Sequence, residues 1–316
     1  MTNSVLYFPY INLPENSWTI KSILYWDTVG VIVPPSYIET PHNYEQYTGN
    51  LLQSNLVTQI FPNDYINNSE FDQGFINLLE NDGFNISEKQ QNFEHELVTK
   101  VNVMKFGEKL MKKLVELRIA TKINHQWYLV EYSTANLIML YLASYIGIKE
   151  DFTPSTDKLL DYPSNLTSQN TINKNQIREK LLEDIIPYPV NPNLDRLKRF
   201  KDLYYDELNS FRILLERTIS EINNNQDEEF YSIKVEELID KRDKISSDLK
   251  GFKFSLAKFS SIIGLGGATY GAISGNDIAT GIGLVQSVLS LAQAFNKPDI
   301  LSQECSYLAL IDKNFN

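Results

Sequence analysis

Apolar and polar positions along the chain alternate with different periods, and each period predicts its own element. Ser4 to Ile11 is a short, aromatic-rich run that reads as a strand. Asn16 or Ser17 can cap a helix running through Trp26, because Trp18, Ile20, Ile23 and Leu24 recur at roughly helical spacing. Val29 to Val33 is a continuous apolar run stopped by Pro34-Pro35. Strand, helix, strand in that order predicts a parallel βαβ start. No Gly-rich loop joins the first strand to the helix, which argues against a dinucleotide or P-loop site there.

Residues 36–96 mix helical stretches, Tyr44 to Ile60 and Ser69 to Glu80, with breaks at Asn63-Asp64, Asn67-Asn68 and Asp82-Gly83, and read as surface-facing insertions. From Asn102 an amphipathic helix runs to Leu117, with Phe106, Leu110, Leu114 and Leu117 on one side. A hairpin follows (Ile119 to Ile123, then Gln126 to Glu131), and after it an apolar helix from Ser133 to Ile146. Helix, two-stranded wing and helix suggest a winged-helix-like module over 101–150. A DNA-reading version would need a basic recognition helix, yet Ser133 to Ile146 carries no Lys or Arg. Lys105, Lys109, Lys112 and Lys113 fit a solvated helix face better than a phosphate contact.

Residues 151–182 open with a Thr-, Ser-, Asn- and Pro-rich stretch that predicts a linker or surface loop, and the main boundary is expected there. Asp184 to Ile186 looks strand-like, and beyond the Pro187, Pro189, Pro192 punctuation the chain turns helical. Leu197 to Ile222 steps mainly by threes and fours until Asn223-Asn224-Asn225 breaks it. Val235, Leu238, Arg242, Ile245, Leu249, Phe252, Leu256 and Phe259 keep an unbroken seam, so 195–258 predicts an antiparallel coiled-coil hairpin. Arg242 is the one charge on that seam and is expected to set register or to reach an acid.

Between Phe259 and Asn296 only Asp277 is charged, and seven of the chain's fourteen Gly fall between 264 and 283. Two apolar helices joined at Gly275-Asn276-Asp277 are the simplest parse. Gly267, Gly271 and Gly275, echoed by Gly283 on the second arm, offer small residues four apart, which let helix backbones approach closely. A buried, tightly packed hairpin is favoured over a bilayer span, since each arm is marginal in length and diluted by Gln, Ser and Thr.

Composition adds bounds. At 316 residues, with 42% apolar and 22% charged residues, the chain should fold around at least one sizeable core. The expected class is α+β and helix-rich: an acidic α/β unit over 1–100, the winged-helix-like module, the linker, and a helical domain over 183–316. The single Cys305 excludes an internal disulfide, and three scattered His with it cannot supply a thiolate-rich zinc site. No cofactor and no metal are expected. No signal peptide is evident in the opening residues, so a cytoplasmic location is expected. Residues 1–100 hold twelve acidic and three basic residues, so nucleic-acid binding through them is not expected.

Catalytic signatures are weak. Asp27, beside Trp26 and Tyr25, is the most tempting acid, though a turn-capping role fits it better. Glu94-His95-Glu96 would need a distant further ligand to hold a metal. No GxSxG or HExxH occurs.

In Tyr7-Phe8-Pro9-Tyr10, Trp18, Leu24-Tyr25-Trp26-Asp27 and Val33-Pro34 the chain resembles an uncharacterised family of bacterial proteins. The resemblance continues at Pro187-Tyr188-Pro189, Arg199-Phe200, Glu207-Leu208, Phe211-Arg212, the Gly-rich hairpin and Tyr307-Leu308. It implies a bacterial source and a shared fold, and transfers no catalytic residue. The expected function is therefore a non-enzymatic interaction or scaffold protein acting through its C-terminal helices, with self-association into a homo-oligomer or a protein partner. A bacterial setting would suit stress or phage defence, for which no residue argues. The alternatives are a membrane-active effector inserting 259–295, and an enzyme at the carboxyl ends of the opening strands, near Tyr10, Asn12 and Pro34.

Overall fold

In the computed structural model the described residues are 3–81, 84–157, 169–189, 193–225, 227–251 and 304–315. The chain divides between Asn175 and Gln176 into two compact units. The first opens as its sequence predicts. β1 (Ser4–Tyr7) leads into α1 (Ser17–Tyr25), whose first turn is capped by the Asn16 side chain accepting from the Thr19 amide, and then into β2 (Thr28–Ile32). β1 and β2 pair in parallel with Ser4 opposite Thr28.

After α2 (Ser36–Glu39) and α3 (Gln46–Gln53) the chain differs from the expected helix over Tyr44 to Ile60. Asn55 takes a left-handed φ of 54°, which stops α3, and Val57–Ile60 becomes β3, parallel to β2. The close fit of these strands is visible at Gly30 in β2. A Cβ there would lie 2.9 Å from Ile60 Cγ1 and 3.2 Å from Leu6 Cδ1.

α4 (Asn68–Asn81), α5 (Ile86–Glu94) and β4 (Val98–Asn102) precede a single 3-10 turn over Val103–Lys105 and α6 (Glu108–Glu116). β5 (Ala120–Lys122), β6 (Trp127–Glu131) and the long α7 (Tyr132–Glu150) follow. β4, β6 and β5 form an antiparallel sheet in the order β4-β6-β5, so helix, wing and helix are present with an extra strand before them, and the 3-10 turn takes up the start of the helix expected from Asn102. Residues 36–96 are not surface insertions. Phe71, Phe75, Ile76 and Leu79 of α4 join one apolar core with Leu6, Phe8 and Ile32 of the parallel sheet and with Phe106, Leu110, Val130, Ile138 and Ile146 of the module. A border at residue 100 would cut through this core.

α7 ends at Asp151, in a left-handed conformation (φ 58°), and the chain enters β7 (Phe152–Ser155) at once. Gly147 makes the sharp return feasible, because a Cβ there would meet the Phe152 carbonyl. β7 pairs in parallel with β1, so the larger sheet has the order β3-β2-β1-β7. The stretch expected as a linker therefore supplies an edge strand, where Pro154 is tolerated, and the start of α8 (Gln169–Ile185).

Helices build the second unit: the rest of α8, then α9 (Leu194–Leu203), α10 (Tyr205–Asn225), α11 (Glu228–Gly251) and α12 (Ser306–Phe315). Asp184 to Ile186, expected to be strand-like, is the end of α8. α10 and α11 form a hairpin, with Lys234 near the start of α11 ion-paired to Glu221 near the end of α10 at 3.0 Å. α12 packs against both helices. Tyr307 of α12 stacks on Phe211 and tilts against Phe200, which also meets Phe315 edge-on. The seam residues Leu238 and Ile245 are buried within the unit. The Gly-rich hairpin with Gly267, Gly271, Gly275 and Gly283 lies outside the described residues.

Candidate functional site

In the larger sheet the chain moves from β1 outward through β2 to β3, and later returns to add β7 on the opposite side of β1. Strand order therefore reverses at β1, and in open parallel sheets the carboxyl ends beside such a reversal are where ligands bind. Two groups of side chains gather on that edge.

The first lies beyond β1 and β7. The hydroxyl of buried Tyr7 donates to Asp157 Oδ1 at 3.0 Å, two residues past the end of β7. The Tyr7 ring tilts against Trp18 with centroids 5.0 Å apart. Tyr10 and Tyr132, the first residue of α7, bring their hydroxyls to 3.3 Å. Burial, together with Asp157, raises the Tyr7 hydroxyl far above the usual phenol range. Burial and then the hydrogen bond with Tyr132 push Tyr10 up to about 12. Tyr7 and Tyr10 stay protonated at neutral pH, so they serve as hydrogen-bonding groups and not as anionic nucleophiles.

The second group forms a cleft of about 470 Å³ just past β2. One wall is the segment after Pro34-Pro35, with Ser36, Tyr37, Thr40 and Asn43. The opposite wall is the tip of the antiparallel sheet, with Asn102 at the end of β4, and Gln126 and Trp127 at the start of β6. Local hydrogen bonds order the first wall: Asn43 Nδ2 donates to Thr40 Oγ1, and Thr40 Oγ1 to the Ser36 carbonyl, both at 2.7 Å. Tyr37 meets Tyr44 edge-on, and Tyr44 accepts a 2.7 Å bond from Gln59 of β3. Burial raises the Tyr37 hydroxyl as well. None of these seven lining side chains is charged at neutral pH.

Of the residues singled out from the sequence, Tyr10 and Pro34 fall on this edge. Asn12 fixes the loop beyond β1 by accepting from the Glu45 amide at 3.0 Å. Asp27 lies at the other end of the sheet. Its Oδ2 accepts from the Asn3 amide at 3.1 Å, and its own amide donates to the Asn3 carbonyl at 2.8 Å, so it ties the amino ends of β1 and β2. Arg242 pairs with its neighbour Asp243 on the same helix, at 2.8 Å. Among the described residues no three His, Cys, Asp or Glu side chains gather as metal ligands. No described helix is long and apolar enough to cross a membrane.

Asp157, Tyr132, Asn102 and Gln126 escaped sequence reasoning because their neighbours on this edge are distant in the chain. A partial signal existed. Tyr7 and Tyr10 bracket Phe8-Pro9 in the second half of the Ser4 to Ile11 run, toward the carboxyl end, which is where a parallel sheet places its ligand-facing loops. Comparison with protein-family models, with curated proteins and with solved structures finds no match to this chain.

Proposed function

We propose that the first unit is a binding module for an uncharged, hydroxyl-rich small molecule, taken into the cleft between the Ser36–Asn43 segment and the tip of the antiparallel sheet. The observation that carries this reading is the lining itself: hydroxyls, carboxamides and one indole, with no counter-ion for a charged ligand. An ion drawn from water into such a site would lose hydration without gaining a partner. Carboxamides and hydroxyls give paired donors and acceptors for sugar or polyol hydroxyls, and the Trp127 face can cover the apolar side of a ring. The volume lies within the usual range for small-molecule sites, about 300–1,000 Å³. Among the described residues no acid–base pair lines the cleft, which favours binding over catalysis there.

Trp127 provides the readout. Titrating the protein with neutral mono- and oligosaccharides should change tryptophan emission saturably, and Trp127→Phe should abolish the change. Asn102→Ala should weaken the same titration. Silence of wild-type emission and of melting temperature across the whole neutral panel would remove this reading. The self-association expected from the C-terminal helical surfaces, the coiled-coil hairpin over 195–258 and the Gly-rich hairpin over 259–296, is tested separately by light scattering on the full chain.

A further inference from the structure

Two carboxamides on opposite walls of the cleft are locked by their neighbours in opposite senses. At the tip of the antiparallel sheet, Asn102 Oδ1 accepts the Met104 amide at 2.9 Å. A backbone N–H only donates, so the atom facing it is the carboxamide oxygen, and the nitrogen is turned away from that contact. Asn102 is 2% exposed, and its Nδ2 has no hydrogen-bond partner among the described residues, yet this nitrogen is not sealed from solvent. The small opening it keeps is to the cleft that Asn102 lines.

On the other wall, Thr40 Oγ1 lies 2.7 Å from both the Ser36 carbonyl and the Asn43 side chain. A carbonyl cannot donate, so the single hydroxyl hydrogen of Thr40 goes to Ser36, and Thr40 must accept from Asn43 Nδ2. Asn43 Oδ1 has no partner among the described residues and is left as the group this side chain offers to a ligand. Thr40 thereby sets which end of Asn43 is presented.

The fixed groups of the sheet wall are donors, and the fixed group of the other wall is an acceptor. Trp127, the register partner of Asn102 across β4 and β6, adds an indole N–H, which also only donates. A hydroxyl fits either sense by rotating, whereas an ether oxygen only accepts. A fixed donor beside an indole matches an oxygen that carries no proton, set in the apolar surface of a ring.

We infer that Asn102 and Asn43 are specificity-determining residues that orient a cyclic sugar in the cleft. Its ring or glycosidic oxygen accepts from Asn102 Nδ2 beside the Trp127 indole, and a free hydroxyl on its far side donates to Asn43 Oδ1. This rests on the small-molecule reading above and narrows the ligand to a ring with an ether oxygen, in place of an open-chain polyol.

The test titrates the full chain with the methyl glycosides of glucose, galactose and mannose, with maltose and cellobiose, and with sorbitol and mannitol, following tryptophan emission and melting temperature. At least one cyclic sugar should bind about tenfold or more tightly than either polyol, the difference expected for one well-matched buried hydrogen bond. Two variants of near-identical shape then place the same negative charge on either wall. Asn102→Asp keeps an acceptor for the Met104 amide but turns a second acceptor toward the ether oxygen, so affinity for the cyclic sugar should fall at least about tenfold. Asn43→Asp still offers an acceptor to the ligand hydroxyl, and its affinity should stay within about threefold of the wild type. Melting curves without sugar verify that both variants fold, and the comparison of cyclic sugar with polyol needs no variant. Equal losses in the two variants, a greater loss in Asn43→Asp, or polyols that bind as tightly as cyclic sugars overturn the inference while the cleft remains a binding site. Silence of the wild type toward every sugar and polyol removes the binding reading and this inference with it.

Discussion

Asp72 caps a helix to which it does not belong. From α4 its Oδ2 accepts the Leu110 amide of α6 at 3.1 Å and its Oδ1 accepts the Gly107 amide at 3.2 Å, while the residue itself is 1% exposed. The first turn of α6 has no capping side chain of its own, since its N-cap is Gly107. Gly is required there by space, because a Cβ would overlap the Asp72 carboxylate. Asp72→Ala removes the acceptor and strands buried amides, so it should lower stability by about 2 kcal/mol. Gly107→Ala should also destabilise, by displacing the carboxylate. Since both changes disable one contact, the double variant should lose less than the sum of the singles in urea denaturation. Strict additivity would count against the shared cap.

Glu131 plays the equivalent part for α7 from within the chain's own N-cap. Its carboxylate accepts from the Thr134 amide at 2.7 Å, from Thr134 Oγ1 at 2.6 Å, from Ser133 and from Asn92 across the module. Burial alone would raise its carboxyl, but the donors from Thr134, Asn92 and Ser133 outweigh it and hold it below the usual carboxylate range. The folded state therefore favours the ionised form. That stability is complete above the unfolded carboxyl value, about 4.3, and is lost as pH falls through the lower folded value. Glu131→Gln should cost about 1–2 kcal/mol at pH 7. The gap between the two proteins should narrow toward pH 3, as read from thermal melts at each pH. A gap that stays constant with pH would show that the charge is not what Glu131 contributes.

The opening βαβ, the hairpin and the α10–α11 pair were legible in the sequence because each is specified by near neighbours. Asn16 marks the start of α1, Pro34-Pro35 marks the end of β2, and the three-four spacing marks the helices. β3 and β7 were not legible. Each is only four residues long and pairs with a strand far away in sequence, so its identity is fixed by the sheet and not by its own pattern. In β7 the Thr-Pro-Ser composition even imitates a loop. The site suffers more from the same effect. Tyr7 meets Asp157 across 150 residues, and the cleft joins residues 36–43 to 102 and 126–127. The burial of Lys105 had no periodic signature at all, since the helix pattern there was read through a turn.

The seam that begins in α11 predicts an antiparallel coiled-coil hairpin, and α11 packs against helices of its own chain. Leu238 is 2% exposed within the second unit, where α11 packs against α10 and α12. Leu238→Ala should therefore cost about 2–5 kcal/mol as a core truncation. Arg242 sits on the same seam but, among the described residues, pairs with exposed Asp243 beside it. A pair of that kind is worth little, so Arg242→Ala should change stability by less than about 1 kcal/mol. Chemical denaturation of the two variants checks the contrast. Equal losses would mean that the Arg242 position is as deeply engaged in packing as Leu238.

Lys105 makes the stability of the first unit depend on pH. In the unfolded chain its amine has the ordinary lysine value, about 10.4, whereas burial in the fold lowers it to about 7. Between those values the unfolded chain holds a proton that the folded chain does not, so stability rises with pH across the window. Below about 7 both states are protonated, and the fold carries the penalty of a buried charge in full. Lys105→Met removes the group from both states. It should stabilise the protein most at pH 6, progressively less from pH 7 to 10, and melt with a correspondingly flatter pH profile. The change in slope, obtained by subtracting the variant's curve from that of the wild type, isolates this one amine from the other titrating groups. A difference curve without slope between pH 7 and 10 would place the Lys105 ammonium in contact with solvent or with a counter-charge.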